Sequence, residues 1–515
     1  MPKKKHIIGL LLGLMFIGCS SSVGYYLHQS VLQQGLDAGD DEDLADAIFL
    51  YKRSYSEKLR AATDANERFE TLLGDAYLQL LFAEGHMAFI FDLGDEGFEA
   101  EHDYLGGFGL GQRVNLAGAP AMNRRIHEGE LGGPDASSCR ACHFSGGPDG
   151  AGTSTQKAFF RGHDQMIDSA IARDAPHVMG LGYIQLLARE MDTSFQIARD
   201  LALEEAQLTG EAVRRQLKYK DIDFGFITAK PDGALDTSEL TAISEDLKVR
   251  PFGHKGRHTD LTSLVDEALQ IHLGLQTASR LYRQRADAET YLGGGPEDDP
   301  DGDGVSDEAQ SAVSVLLAGY LSMLGTPVVK PPLSTPFVGY WQEGFENFKT
   351  IGCADCHVPE HRLGHTEVNL RAELEEAWEV SVNLQEHGQA PQPTQVDFGA
   401  DDQGETLGGT PIYPFTDLRR HDMGDALADP KDEALPDGAN DVPASFWLTR
   451  SLWGLADTAP YLHDGRATTV EEAILAHGGE AQAAKEAYEN LNEEERGKVR
   501  LFLMSLTREP VVLVE

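Results

Sequence analysis

The chain has 515 residues but only five cysteines, and 43 basic residues stand against 84 acidic ones. So few thiols in a chain this long exclude a disulfide framework of the small secreted kind. The formal net charge of -41 repels nucleic acid and anionic lipid, so a nucleic-acid role is disfavoured. A basic protein partner is the better electrostatic match, against the plainer reading of an acidic surface kept for solubility. Long apolar runs are also missing. The strongest one, "IIGLLLGLMFIG" near the start, is shorter than the ~20 residues a membrane-crossing helix needs. A single hydrophobic core does not grow to this chain length, which predicts two or three domains.

What is present begins at that run. Lys3 to Lys5 precede it, and Cys19 with three serines follows. A basic end and a short apolar stretch predict a secretory signal over residues 1–18 and an exported chain. The segment "FIGC" resembles a lipobox, although Phe16 and Ile17 depart from the usual pattern. It predicts a lipoprotein held at a bacterial membrane by Cys19, periplasmic or outer-membrane-anchored. A plain secretory signal and a buried free thiol are the alternatives.

The other four cysteines fall into "SSCRACHFSGG" (137–147) and "IGCADCHVPE" (351–360). A zinc site would have to bring the two pairs together, and a redox dithiol needs no histidine at the fifth place. The pattern C-x-x-C-H twice points instead to two covalently attached c-type haems. Cys139 and Cys142, like Cys353 and Cys356, would form thioethers to the vinyl groups, and His143 and His357 would turn under the irons. Bis-haem attachment leaves no cysteine over once Cys19 is lipidated.

Apolar periodicity reads as helical over much of 40–92, in "SFQIARDLALEEAQLTGEAVRRQL" (194–217), in "TSLVDEALQIHLGLQTASRLYRQ" (262–284), and in the closing stretch "NEEERGKVRLFLMSLT". "GGGPEDDPDGDG" breaks the chain, "PVVKPPLSTP" (327–336) is an extended linker, and residues 388–412 read as a long loop. Strand signals are few. The expected fold is therefore mainly α: two cytochrome c-like haem domains (94–330 and 331–515) with long loops, after a helical extension at 19–93. "DPDGDGVSDEAQ" sets Asp299, Asp301, Asp303 and Asp307 at positions 1, 3, 5 and 9 of a calcium loop. Gln310 stands where a bidentate Glu is usual, and a solvated acidic turn is the alternative.

The stretches "RSLWGL", "APYLHDGRATTVEEA", "HDMGDALAD" and "AILAHGGEA" resemble the C-terminal domain of bacterial di-haem cytochrome c peroxidases. Within that superfamily they are most similar to the di-haem oxidoreductases, also called thiol oxidoreductases. The resemblance runs from about residue 94 to 508 and is looser in its N-terminal part. It implies an electron-transfer haem at Cys353/Cys356 and a reactive, peroxidase-like haem at Cys139/Cys142. It also implies a distal ligand of the second haem fourteen residues after His463. That position is His477, with Met423 as competitor and a surface histidine as the plain alternative. Bis-histidine ligation lowers the potential relative to His/Met.

On the reactive side the chain departs from the peroxidases. Against their W-D-G-R, Gln and Glu pattern stand His254 and Arg257 in "HKGR", Leu264, and His272 near the Glu place. These changes put simple peroxidase activity in doubt and leave His272 as proton shuttle, sixth ligand or ordinary helix histidine. His163 is a second candidate to close that position. Two functions follow: a di-haem oxidoreductase acting on peroxide or another small-molecule oxidant or substrate, or a non-enzymatic membrane-anchored di-haem electron carrier.

Overall fold

The computed structural model describes residues 91, 126–127, 130–131, 136, 138–154, 156–160, 171–273, 277, 279, 311–372, 378–388, 409–429 and 442–508. All of these belong to one compact unit, Leu78–Glu515. The signal, Cys19, the helical extension apart from Phe91, His163, the Asp299–Asp307 loop and most of the 388–412 loop lie outside the described residues.

Two short hairpins flank the first cysteine pair. They are β1 (Ile126–His127) with β2 (Glu130–Leu131), and β3 (Ala158–Phe160) with β4 (Ile171–Arg173). Helix α1 (Leu181–Thr209) follows. It opens at Gly180, whose φ of +71° suits glycine, and a Cβ there would lie 2.5 Å from the ring of Trp453.

Helix α1 ends where the mainly-α expectation fails. Gly210 adopts φ 71° and returns its N–H to Ala206 O, a left-handed stop. The residues "VRRQLKY", read above as more helix, instead form β5 (Val213–Tyr219). This strand pairs with β6 (Ile222–Ala229), which pairs with β7 (Leu235–Leu240). Leu217, Phe224 and Ile227 are fully buried while Lys218 and Asp223 face solvent. That is a period of two, as a sheet with one wet face requires. The described residues are 38% helix and 21% strand, with several small sheets. The fold is mixed rather than mainly α.

Helix α2 (Leu261–Ala268) is capped by Asp260, whose Oδ1 accepts from Ser263 N at 2.9 Å. It passes into a π-helical turn, Leu269–Leu273, that contains His272. Helix α3 (Ser311–Met323) packs on α2 and is apolar nearly all round, as a buried helix is. Between them the buried Asp266 accepts from the hydroxyls of Thr277 (2.8 Å), Ser279 (2.8 Å) and Ser314 (2.5 Å).

The extended segment after α3 contributes β8 (Val328–Val329) and leads into α4 (Phe337–Thr350). Three small antiparallel pairs come next, each within this half: β9 (His361–Leu363) with β12 (Thr410–Ile412), β10 (Glu367–Ala372) with β11 (Trp378–Asn383), and β13 (Arg420–Asp422) with β14 (Phe446–Leu448). Helices α5 (Val470–Ala476), α6 (Gln482–Asn490) and α7 (Glu493–Leu503) close the chain, and β15 (Leu506–Thr507) pairs back on β8.

Helix α7 is the amphipathic helix expected from the sequence. Asn492 and Glu495 form a capping box at its start. Its buried Val499, Phe502 and Leu503 join Trp341, Phe348, Phe415 and Tyr488 in one core, against which Cys353 and Ala354 pack. Helix α4 approaches so closely that a Cβ on Gly344 would sit 2.0 Å from Lys498 O. The second cysteine pair is thus built onto a packed core.

Candidate functional site

The two C-x-x-C-H segments fold alike. Each first cysteine starts a 3-10 turn, Cys139–Ala141 and Cys353–Asp355. Each histidine N–H then closes back on the first cysteine's carbonyl, at 3.1 Å for His143 and 3.0 Å for His357. Ser138 Oγ caps the first turn, and Gly352 at φ 89° enters the second. None of the four forms a disulfide. Burial, followed by the neighbouring Cys142, pushes the Cys139 thiol up to about 12, and burial with Cys356 does the same to Cys353.

Both imidazoles are oriented in the same way. His143 Nδ1 lies 2.8 Å from Pro176 O, and His357 Nδ1 lies 3.0 Å from Phe415 O. With Nδ1–H donating to a carbonyl, Nε2 keeps its lone pair for a metal. Burial lowers both rings to about 4, so they are neutral at ordinary pH.

Each has a second histidine in electrostatic reach. His477 lies near His357 and His272 lies near His143. His477, the residue after α5, repeats the arrangement, with Nδ1 2.7 Å from Ala473 O and its pKa lowered by burial. Met423 comes close by its backbone, Met423 O lying 3.0 Å from where a Cβ on Gly478 would be. The His272 carbonyl accepts from Ala136 N at 3.2 Å, tying the π-turn to the segment that leads into Cys139. A π-turn at such a place is a frequent mark of function.

The remaining site candidates are not drawn to the His143–His272 pair in the same way. His254 Nε2 lies 2.9 Å from Asp174 O, and His254 is held well below its ordinary pKa by burial and then by Arg450. Arg257 Nη1 lies 4.0 Å from Glu267, and His258 lies 3.1 Å from the same carboxylate. His463 stacks on Trp447 with centroids 3.8 Å apart, and Lys255 Nζ lies 3.5 Å over the same ring. Asp429 binds this group together. It takes both arms of Arg173 at 2.8 Å and lies 3.2 Å from Lys255, so a residue before α1 is joined to the C-terminal half.

Sequence reading passed over three groups here. Arg450, His177 and the trio His421, Asp417 and Glu480 carry no motif spacing. In the trio, His421 Nε2 lies 2.8 Å from Asp417 and Nδ1 lies 2.8 Å from Glu480. Cys356 and Asp417 offer ligand atoms beside that ring. Burial alone would lower His421, but the bonds to Asp417 and Cys356 outweigh it and raise it to about 10. The trio therefore sets a positive imidazolium beside the second motif.

Residues 357–506 match the family described as "Di-haem oxidoreductase, putative peroxidase". The matched stretch begins at the histidine of the second motif and takes in His421, His463 and His477. None of the curated proteins matches the chain. Among solved structures, the chain is similar to a MauG-like protein associated with microbial copper homeostasis, at 18% identity and a TM-score of 0.28 over 55% of this chain and 79% of that one. So slight a likeness transfers neither fold nor function. The di-haem oxidoreductase match carries a redox function with haem as cofactor. The donor set fits that cofactor, with two thiols, one oriented imidazole and a second histidine in electrostatic reach at each motif.

Proposed function

We propose that the chain is an exported di-haem c-type oxidoreductase. In this reading it takes electrons at a C-terminal haem and uses an N-terminal haem on peroxide or another small oxidisable molecule. The observation that carries the reading is that two C-x-x-C-H turns of the same geometry each have their histidine ring oriented by a backbone carbonyl and a second histidine, His272 or His477, in electrostatic reach.

Cys139 and Cys142 hold the first haem by thioethers, and Cys353 and Cys356 hold the second. When bound, the haems supply one-electron iron couples and, at the first site, a metal centre for peroxide. Pro176 O and Phe415 O hold the proximal rings so that Nε2 stays aimed. His477 closes the far side of the second site. His272 would move a proton at the first, without the fixed negative charge of a carboxylate, so peroxide turnover should be weak.

The leader and Cys19 support a lipid anchor on the periplasmic side of a bacterial membrane, and the net charge supports a basic redox partner. The Asp299–Asp307 spacing supports calcium near the junction of the two halves.

Acid-acetone extraction followed by a pyridine haemochrome assay tests the central claim and should leave two haems on each chain. Recovery of one or none would overturn it. A second reading, a membrane-anchored electron carrier, rests on the same closeness of His272 to His143. If His272 binds the first iron tightly, EPR of the oxidised protein gives two low-spin centres and carbon monoxide fails to bind.

A further inference from the structure

Three stretches of the C-terminal half converge on the ring of His421, in the middle of β13. Phe415, whose carbonyl orients His357, is followed two residues later by Asp417, and Asp417 Oδ2 lies 2.8 Å from His421 Nε2. On the other edge of the ring, His421 Nδ1 lies 2.8 Å from Glu480 Oε2. Glu480 comes three residues after His477, in the turn between α5 and α6, and its second oxygen accepts from Asp422 N at 3.0 Å. The backbones meet there as well. Gly479 adopts φ +54°, and a Cβ on it would collide with Asp422 O, so the turn after His477 lies flush against the end of β13. The Cys356 thiol lies within 4.8 Å of ligand atoms of both Asp417 and His421, which sets the whole junction beside the second motif.

A carboxylate only accepts, so a ring that bonds one at each nitrogen carries hydrogen on both and makes two charge-assisted bonds. Asp417 and His421 are buried, while Glu480 is half-exposed. The ring cannot swing without breaking one of the two bonds. It therefore bridges the mount of the proximal imidazole to the turn that follows the second one. The His477 ring is itself tied to Ala473 O, one turn back on α5, so the place where α5 ends decides where its Nε2 points.

We infer that His421 is a positioning residue for the second haem, acting through Glu480 to hold His477 in place and so to keep outside molecules off the C-terminal iron. The inference rests on haem being bound at Cys353, Cys356 and His357, with His477 as its far ligand. An iron closed by two imidazoles passes electrons and offers no place to peroxide. The division of labour between the two haems then depends on this bridge as well as on the identity of the ligand, because a histidine whose helix end drifts lets another ligand in.

The test uses the full chain with Glu480→Ala, chosen because a half-exposed carboxylate can be removed without opening the core, and with Glu480→Gln and His477→Ala. A haemochrome assay first counts the haems in each. The C-terminal haem is assigned as the one kept by a chain with Cys139→Ala and Cys142→Ala. The probe is cyanide, titrated into the oxidised protein. Glu480→Ala should bind it at the C-terminal haem about tenfold more tightly than wild type does, the order of one hydrogen bond to a charged group. Glu480→Gln keeps one acceptor oxygen and should restore part of the difference. In a chain that also carries His477→Ala, Glu480→Ala should change nothing further, since no distal ring is left to displace. A bond that merely stabilised the fold would lower the denaturant midpoint without this dependence on His477. Unchanged cyanide affinity in a loaded Glu480→Ala chain overturns the inference, as does an effect that persists in full without His477. Loss of that haem from both Glu480 variants overturns it too and marks a structural carboxylate. If wild type itself holds no haem at Cys353 and Cys356, the proposed function fails instead, and the two failures are told apart.

Discussion

His477 and His272 occupy matching places, and a single substitution at each separates their duties. His477→Met replaces an imidazole with a thioether, which favours ferrous iron. The C-terminal haem's potential should rise while the N-terminal spectrum stays in place. Loss of low-spin character on Met423→Ala alone would instead make Met423 the ligand. At the first site, His272→Ala should change carbon monoxide or cyanide affinity there and leave the second site untouched. His272→Glu, which restores a carboxylate, should raise peroxide turnover. Brisk wild-type turnover that survives His272→Ala would move the acid-base group elsewhere. Family spacing from His463 pointed to His477, and the folded chain sets it in electrostatic reach of His357. His421 was not legible. The "HDMG" segment drew attention to its methionine, whereas the folded chain gives the buried ion pair to the histidine two residues before it.

The closing helix of the C-terminal half was readable, since its local signals agree with its packing. Asn492 and Glu495 start α7 with reciprocal bonds of 3.0 Å. Asn492→Ala should therefore cost about 1 kcal/mol, read as a lower denaturant midpoint with an unchanged slope. Phe502 is fully buried in the core that backs Cys353. Phe502→Ala should cost about 3–5 kcal/mol and loosen the second haem before the first, seen as earlier loss of its low-spin signal on heating. The N-terminal half was misread at one glycine. "TGEAVRRQL" continues a helical count of apolar residues if Gly210 is taken as an ordinary helix residue. Taken as a left-handed stop, it leaves a stretch whose exposure alternates by twos. Residues 213–240 are thus a small sheet against the far end of α1, and the mainly-α expectation falls with it. The π-turn at 269–273 also has no sequence period of its own, because one extra residue per turn is invisible in so short a run.

For the whole molecule, buried imidazoles set the response to acid. His361, with Nε2 2.7 Å from Thr416 O, is lowered to about 4 by burial, and His177 to about 3 by burial and then Arg450. Between the ordinary value of 6.5 and those values, the unfolded chain binds protons that the folded chain refuses. Stability should be complete above pH 6.5 and fall as the pH drops toward 4. His361→Gln should flatten that limb in denaturant titrations across the range. His421 works in the opposite direction. Raised to about 10, it contributes fully below pH 6.5 and loses that contribution as the pH climbs toward 10, so His421→Gln should flatten the alkaline limb. Steep acid loss in His361→Gln equal to that of wild type would place the titrating groups elsewhere. The two proximal histidines add a matter of timing. The carbonyl that aligns His143 lies 33 residues downstream, and the one that aligns His357 lies 58 residues downstream. The cysteine turns close within five residues, so thioether formation on the proposed sites needs only a local bend. The rings, however, come to rest only when distant chain arrives. Each half of the newly made chain would then carry its own clock, a chromophore fastened early whose colour changes when the surrounding fold is finished.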